Sequence, residues 1–155
     1  MENIGTEEKE AIEEGLASCA CLNLRKAARL VTRAYDEALK PGGLTPTQFS
    51  ILAVLNLAGP VTISRLSEHL ATERTTLTRN LKKLQERGLV KTASGEDQRT
   101  RKAFVTDKGK QAFKESVPLW EKAQRDIVEK LGPAQWETLL GGLRQTVNIF
   151  SDGGF

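Results

Sequence analysis

Two cysteines stand one residue apart at Cys19-Ala20-Cys21, and the single histidine, His69, lies far along the chain from both. If the segment is helical, residues i and i+2 face different sides. The two thiols then can neither bridge nor share a metal without unwinding a turn. Cys19 reads as a small buried apolar residue. Cys21 has Arg25 one turn on, and a neighbouring guanidinium favours thiolate over thiol. His69 has no further ligand spaced to complete a zinc site, so no metal is expected. No Ser-His-Asp set, phosphate-cradling glycine loop or clustered carboxylate pair can be picked out. Neither an enzyme nor a cofactor is therefore expected.

The chemistry that the sequence does offer is cationic. In the run from Ile63 to Gly88, ISRLSEHLATERTTLTRNLKKLQERG, Ile63, Leu66 and Leu70 form one apolar helical face. Leu77, Leu81 and Leu84 form a second. Thr72 stands where an N-cap belongs, and Gly88 where a left-handed C-cap does. From Glu73 to Arg87 the helix would run about 22 Å at roughly 1.5 Å per residue. With the leucines inward, Arg74, Thr75, Thr78, Arg79, Lys82 and Lys83 face outward. Such a helix fits a major groove about 12 Å wide, its N-terminal side chains meeting base edges. Arg74, Thr75, Thr76 and Arg79 are the candidates for base edges or nearby phosphate. Lys82 and Lys83 are candidates for phosphate. The alternative is an amphipathic hairpin with a solvated basic face.

The residues beyond Gly88 favour the first reading. Leu89 to Ala93 has strand composition, Ser94 to Arg101 reads as a hairpin tip, Lys102 to Val105 returns, and Thr106 caps a new helix. A helix-turn-helix with a hairpin behind it is a winged helix, with Arg99 and Arg101 at the tip reaching phosphate or the minor groove. Charge agrees: residues 60–110 hold twelve basic and six acidic side chains, whereas residues 1–20 hold six Glu and one Lys. Positive charge gathered on one lobe is the footprint of a nucleic-acid binder.

On these residues the chain resembles the MarR family of winged helix-turn-helix regulators. The carriers are TTLTRNLKKLQERGLV at Thr75 to Val90, Asp97-Gln98-Arg99 followed by Val105-Thr106, GLTPTQFSIL at Gly43 to Leu52, and the helix start Thr106-Asp107-Lys108-Gly109. The resemblance spans roughly Leu22 to Phe150. It implies Arg99 as a minor-groove residue oriented by an acidic neighbour, and the helix from Glu73 as the recognition helix. It also implies a small-molecule effector in the crevice between dimer helices and winged lobe. Cys21 is placed like the reactive cysteine of the family's organic-hydroperoxide-sensing branch, and Tyr35 falls on one of the two tyrosine positions that hold it from the other subunit. Fourteen helical residues span about 21 Å, so only a partner's Tyr35 could reach Cys21. The second tyrosine position is Pro46 here, and no cysteine follows Cys21. An inert, interface-buried Cys21 is the competing reading.

The elements that must position this surface are set by patterning. The fold class is mainly α with a small β-hairpin wing. One domain, 1–155, carries a winged helix-turn-helix lobe over about 62–106 and helical dimerisation regions at 11–40 and 107–150. One long helix is expected from about Ala11 to Lys40, stopped by Pro41-Gly42-Gly43. Thr45 caps the next helix with Pro46 at its first position. Val61-Thr62 adds a minimal strand, and Thr62 caps the helix beyond it. Pro118 inside the helix from Thr106 to Leu131 predicts a bend. The last helix, from Pro133, carries a wide apolar stripe from Trp136 to Phe150. Long helices with a second apolar face suit a homodimer reading two half-sites about 10 bp apart on a pseudo-palindromic operator of double-stranded DNA. No apolar stretch approaches the roughly 20 residues of a membrane span. The acidic start is not a signal peptide, and two cysteines suit a reducing, cytoplasmic setting. The expected function is a transcription repressor released by a small ligand or by thiol oxidation. The alternative is a non-DNA-binding protein of the same fold that antagonises another regulator.

Overall fold

The structure is a computed structural model that describes residues 5–94 and 100–151. Among the described residues, seven α-helices and three short strands occur in the order α1 (Thr6–Ser18), α2 (Ala20–Leu39), α3 (Pro46–Ala58), β1 (Val61–Thr62), α4 (Ile63–His69), α5 (Arg74–Glu86), β2 (Val90–Ser94), β3 (Arg101–Val105), α6 (Asp107–Leu131) and α7 (Pro133–Ser151). A 3₁₀ turn, Lys40–Gly42, joins α2 to α3. The strands form one antiparallel sheet in the order β1-β3-β2. Val61 pairs with Ala103, and the β2–β3 ladder runs from Val90 opposite Val105 to Ser94 opposite Arg101.

Threonine caps set three of the helix starts. Thr45 accepts from Gln48 N at 3.3 Å, while Gln48 Oε1 accepts from Thr45 N at 3.2 Å. This reciprocal box satisfies two end donors of α3. Thr62 Oγ1 accepts from Arg65 N, and Thr106 Oγ1 from Gly109 N. The core lies in the winged lobe: Leu39, Ile51, Leu52, Leu55, Leu66, Leu77, Leu84 and Ala103 are fully buried. Helix α6 packs on α2 and α3 and links this core to α7.

The termini behave differently. Helices α1 and α7 bury no residue. Leu16 and Leu30 are 50% and 57% exposed, and Val147, Ile149 and Phe150 are 56–59% exposed. Much of this apolar surface faces water.

Two expectations are corrected. The helix expected from Ala11 to Lys40 is broken at Cys19, whose ψ of 112° is extended. Side chains take over the backbone partners there: Asn23 Nδ2 donates to Ala17 O and Cys19 O at 2.9 Å each, and Ser18 Oγ to Glu14 O and Gly15 O at 3.2 Å. The hairpin tip is shorter than Ser94 to Arg101, because both end residues are paired in the ladder. Helix α6 carries Pro118 inside it, with the missing N–H opposite the Lys114 carbonyl on an exposed side.

Candidate nucleic-acid interface

Helix α5 is held from behind by Leu77, Leu81 and Leu84, all at most 2% exposed. Their spacing leaves one broad outward face. On it Arg74, Thr75, Thr78, Arg79 and Lys82 together line a shallow concavity of about 470 Å³. No acidic side chain lines it, and the Glu73 carboxylate at the N-cap accepts from the Thr75 hydroxyl at 3.5 Å. Lys83 is also exposed, but it stands about 100° round the helix from Lys82, on the flank. Thr76 departs from expectation. It is half-buried, and its carbonyl accepts from Asn80 Nδ2 at 3.0 Å. At about 100° per residue it lies well round from the centre of the outward face.

The start of α5 also differs. Its N-cap is Glu73, not Thr72, and makes no side-chain cap bond. Thr72 instead closes the α4–α5 turn by donating its N–H to Ser67 O at 3.0 Å. In that turn Ala71 takes φ +43°, a left-handed conformation that costs a non-glycine residue about 1–2 kcal/mol. Arg74 Nη2 donates to Ser64 Oγ, tying the two helices of the motif.

The other end of α5 is closed by Gly88 at φ +70°. Gly88 N donates to Gln85 O at 2.8 Å and Leu89 N to Leu84 O at 2.9 Å. This is the paired closure that a left-handed residue after a helix permits. Leu89 leads directly into β2, so the wing is launched from the end of the recognition helix. Thr92 on β2 joins the two elements: its Oγ1 accepts from Gln85 Nε2 at 3.1 Å and from Arg101 Nη2 at 2.8 Å. Arg101 opens β3 at the tip end of the ladder, opposite Ser94, and not in the connection itself. Asp97 and Arg99 lie outside the described residues.

The remaining sequence candidates do not assemble into a chemical site. Cys21 is exposed in the first turn of α2, and Cys19 is half-buried at the helix break. The premise that the two share one helix therefore fails. Tyr35 donates its hydroxyl to Gln124 Oε1 of its own chain, and burial pushes its phenol above the ordinary value. Phe49 is engaged by Phe113 and Trp120, with centroids 5.0 and 5.8 Å away. His69 is exposed, and among the described residues no three His, Cys, Asp or Glu are grouped to hold a metal. No described helix is long and apolar enough to cross a membrane. Sequence reasoning missed Ser64 and Thr92. Both are small hydroxyl residues whose role depends on a neighbour ten or fewer positions away across a turn.

A helix-turn-helix with its cations on one face and a hairpin launched from its reading helix defines a winged-helix nucleic-acid-binding protein. Comparison with known proteins agrees. The model of the MarR family matches residues 42–100. The HTH-type transcriptional regulator YwoH of Bacillus subtilis is 34% identical over 92 residues, 59% of this chain and 67% of the relative. The M. tuberculosis transcriptional regulator MosR, solved in complex with DNA, is similar at TM-score 0.74 and 41% identity, over 84% of this chain and 97% of that one. The transcriptional repressor CouR, bound to a 23-mer DNA duplex, is similar at TM-score 0.76 and 26% identity, over 86% and 95% of the two chains. The chain belongs to the MarR family, a family of transcriptional regulators and not of enzymes.

Proposed function

We propose that the protein is a homodimeric repressor that binds a pseudo-palindromic operator in double-stranded DNA. Each subunit lays α5 in the major groove and the wing, with Arg99, in the adjacent minor groove. The observation that carries this reading is the acid-free strip along α5, from Arg74 to Lys82. It continues past Arg74 and Thr78 to Arg101 at the start of β3. Arg74, Thr75 and Arg79 are assigned to base edges or the nearest phosphates, and Lys82, Lys83 and Arg101 to phosphate. The DNA-bound MosR and CouR relatives support the assignment.

Dimerisation is assigned to α1, α2, α6 and α7, whose exposed apolar flanks need a partner to leave water. A working place on DNA puts the protein in the cytoplasm. Release is assigned to a small-molecule effector that changes how the two winged lobes are spaced. A second route, oxidation of Cys21, is favoured by the exposure of that thiol beside the break at Cys19. Cys21→Ser should then abolish peroxide-induced release, and equal release by variant and parent would end that route.

Selection of bound duplexes from a random pool tests the main reading. A shared motif with two half-sites about 10 bp apart is expected. Arg99→Ala should weaken binding to the selected duplex in a gel-shift titration while leaving fold and dimer intact. A protein that enriches no sequence and shows no affinity at low salt would be the non-DNA-binding antagonist.

A further inference from the structure

Between α5 and the start of β3 lies a cleft of about 470 Å³. Its walls are Arg74 and Thr78 on one side and Thr100 and Arg101 on the other, with Thr62 and Ser64 at its floor. No carboxylate lines it. This inference rests on the DNA-binding reading above. A helix in a major groove and a hairpin in the neighbouring minor groove are separated by one sugar-phosphate strand. The space between those two elements is therefore where that strand must pass.

The hydrogen bonds already made around the cleft decide what it can take. Thr62 Oγ1 accepts from Arg65 N at 3.3 Å, and Ser64 Oγ accepts from the Arg74 guanidinium. A hydroxyl that accepts from the protein keeps its own proton to donate. Both floor hydroxyls are thus oriented as acceptors toward protein and as donors elsewhere. The two guanidiniums are steered in the same way: Arg74 is held by Ser64, and Arg101 by Thr92 at 2.8 Å. Each keeps further N–H donors. Two fixed cations and two proton-donating hydroxyls, with no competing acid, form a seat for a single anionic tetrahedral group.

We infer that this cleft seats one backbone phosphodiester per half-site, clamped by Arg74 and Arg101 and received by the hydroxyls of Ser64 and Thr62. Arg74 then serves phosphate and not a base edge. Ser64 becomes a DNA contact, and Thr92 becomes a positioning residue that aims Arg101.

The test uses the full-length protein and a duplex recovered from the random pool. Single phosphates along it are replaced one at a time by neutral methylphosphonate. Ser64→Ala and Arg101→Gln are compared with the parent, with Lys82→Ala as a control outside the cleft. Thermal unfolding confirms that each variant is folded. At one phosphate in each half-site, methylphosphonate should weaken the parent about tenfold, the scale of one charge-assisted hydrogen bond. At that same phosphate it should weaken Ser64→Ala and Arg101→Gln far less, while its effect and that of Lys82→Ala multiply. Arg101→Gln should also lower the salt slope by about 0.9. Thr92→Val should reproduce part of the Arg101→Gln loss, and Thr92→Ser should restore it. Losses that multiply at every phosphate for both cleft variants would overturn the seat while leaving DNA binding in place. A pool that yields no bound duplex would overturn the DNA-binding reading and the seat with it.

Discussion

Gly109→Ala should destabilise the protein, against the usual sign for glycine in a helix. Alanine is favoured over glycine in helix interiors by about 0.8–1.0 kcal/mol. Gly109 is buried in the first turn of α6, and a Cβ there would lie 2.0 Å from Leu89 O and 2.9 Å from Val105 Cγ2. An ordinary C···O approach is about 3.3 Å, so the two backbones would have to part by roughly 1 Å. Overpacking of this kind costs about 1–3 kcal/mol. The junction being opened is also bonded: Leu89 O accepts from Thr106 N at 3.0 Å and from Thr106 Oγ1 at 3.1 Å. Weakening that cap adds about 1 kcal/mol. The net expectation is a loss of about 1–3 kcal/mol, or roughly 3–10 °C in Tm at this chain length. Thermal unfolding followed by circular dichroism measures it, at one fixed protein concentration because a dimer's stability depends on concentration. A Tm equal to or above that of the parent would refute the steric reasoning. It would mean that α6 and the α5–β2 junction are not in backbone contact.

Thr45→Ala removes the acceptor for Gln48 N and so the reciprocal box at α3; a loss of about 1 kcal/mol is expected in urea unfolding. Tyr35 is the only tyrosine, so an ultraviolet pH titration reads it alone. Burial raises its folded pKa above the ordinary 10.0. The stability it contributes is therefore full below about pH 10 and declines as pH rises through the folded pKa, because the unfolded phenol loses its proton first. A midpoint at or below 10.0 in the folded protein would contradict the burial. On the selected duplex, Lys82→Ala should lower the salt slope by about 0.9 with sequence preference intact, and Arg79→Ala should relax the preference. The reverse pattern would exchange their roles.

Local chemistry in this chain is legible because it acts over few residues. Thr45, Thr62 and Thr106 each precede an apolar helical pattern and each accepts from the backbone three residues on. Gly88 marks the end of α5 because the closure there needs a positive φ. The outward face of α5 is found by subtraction, since three leucines fix the inward side. Thr76 lies outside that subtraction: its helical angle puts it between the two faces, and it is half-buried. The break at Cys19 carries no periodic signal. It arises where Asn23, six residues on, satisfies Ala17 O in place of the helix. Glu73 and not Thr72 caps α5, and the Thr72 N–H is held by Ser67 O in the α4–α5 turn. The cleft between α5 and the start of β3 is not legible at all. It is made by side chains from β1, α4, α5 and β3 that only the tertiary fold assembles.

The recognition helix is not free to tilt by itself. Its last residues are tied on two sides. Arg87 Nη1 donates to Gly43 O at 2.7 Å, just beyond the turn that ends α2. Lys108 Nζ, in the first turn of α6, donates to Arg87 O at 2.9 Å, and Thr106 Oγ1 donates to Gly88 O at 2.7 Å. Helices α2 and α6 pack on each other, and α2 carries an exposed apolar flank. A rotation of the α2–α6 pair against a second copy must therefore carry α5 with it. Reading two half-sites about 34 Å apart on one face of the duplex demands a fixed separation of two such helices. A shift at the helical base large enough to move one Gly43–Arg87 tether by a few ångströms would place the second α5 out of its groove. Control of DNA binding by a ligand at the base thus needs no contact with the recognition helix itself.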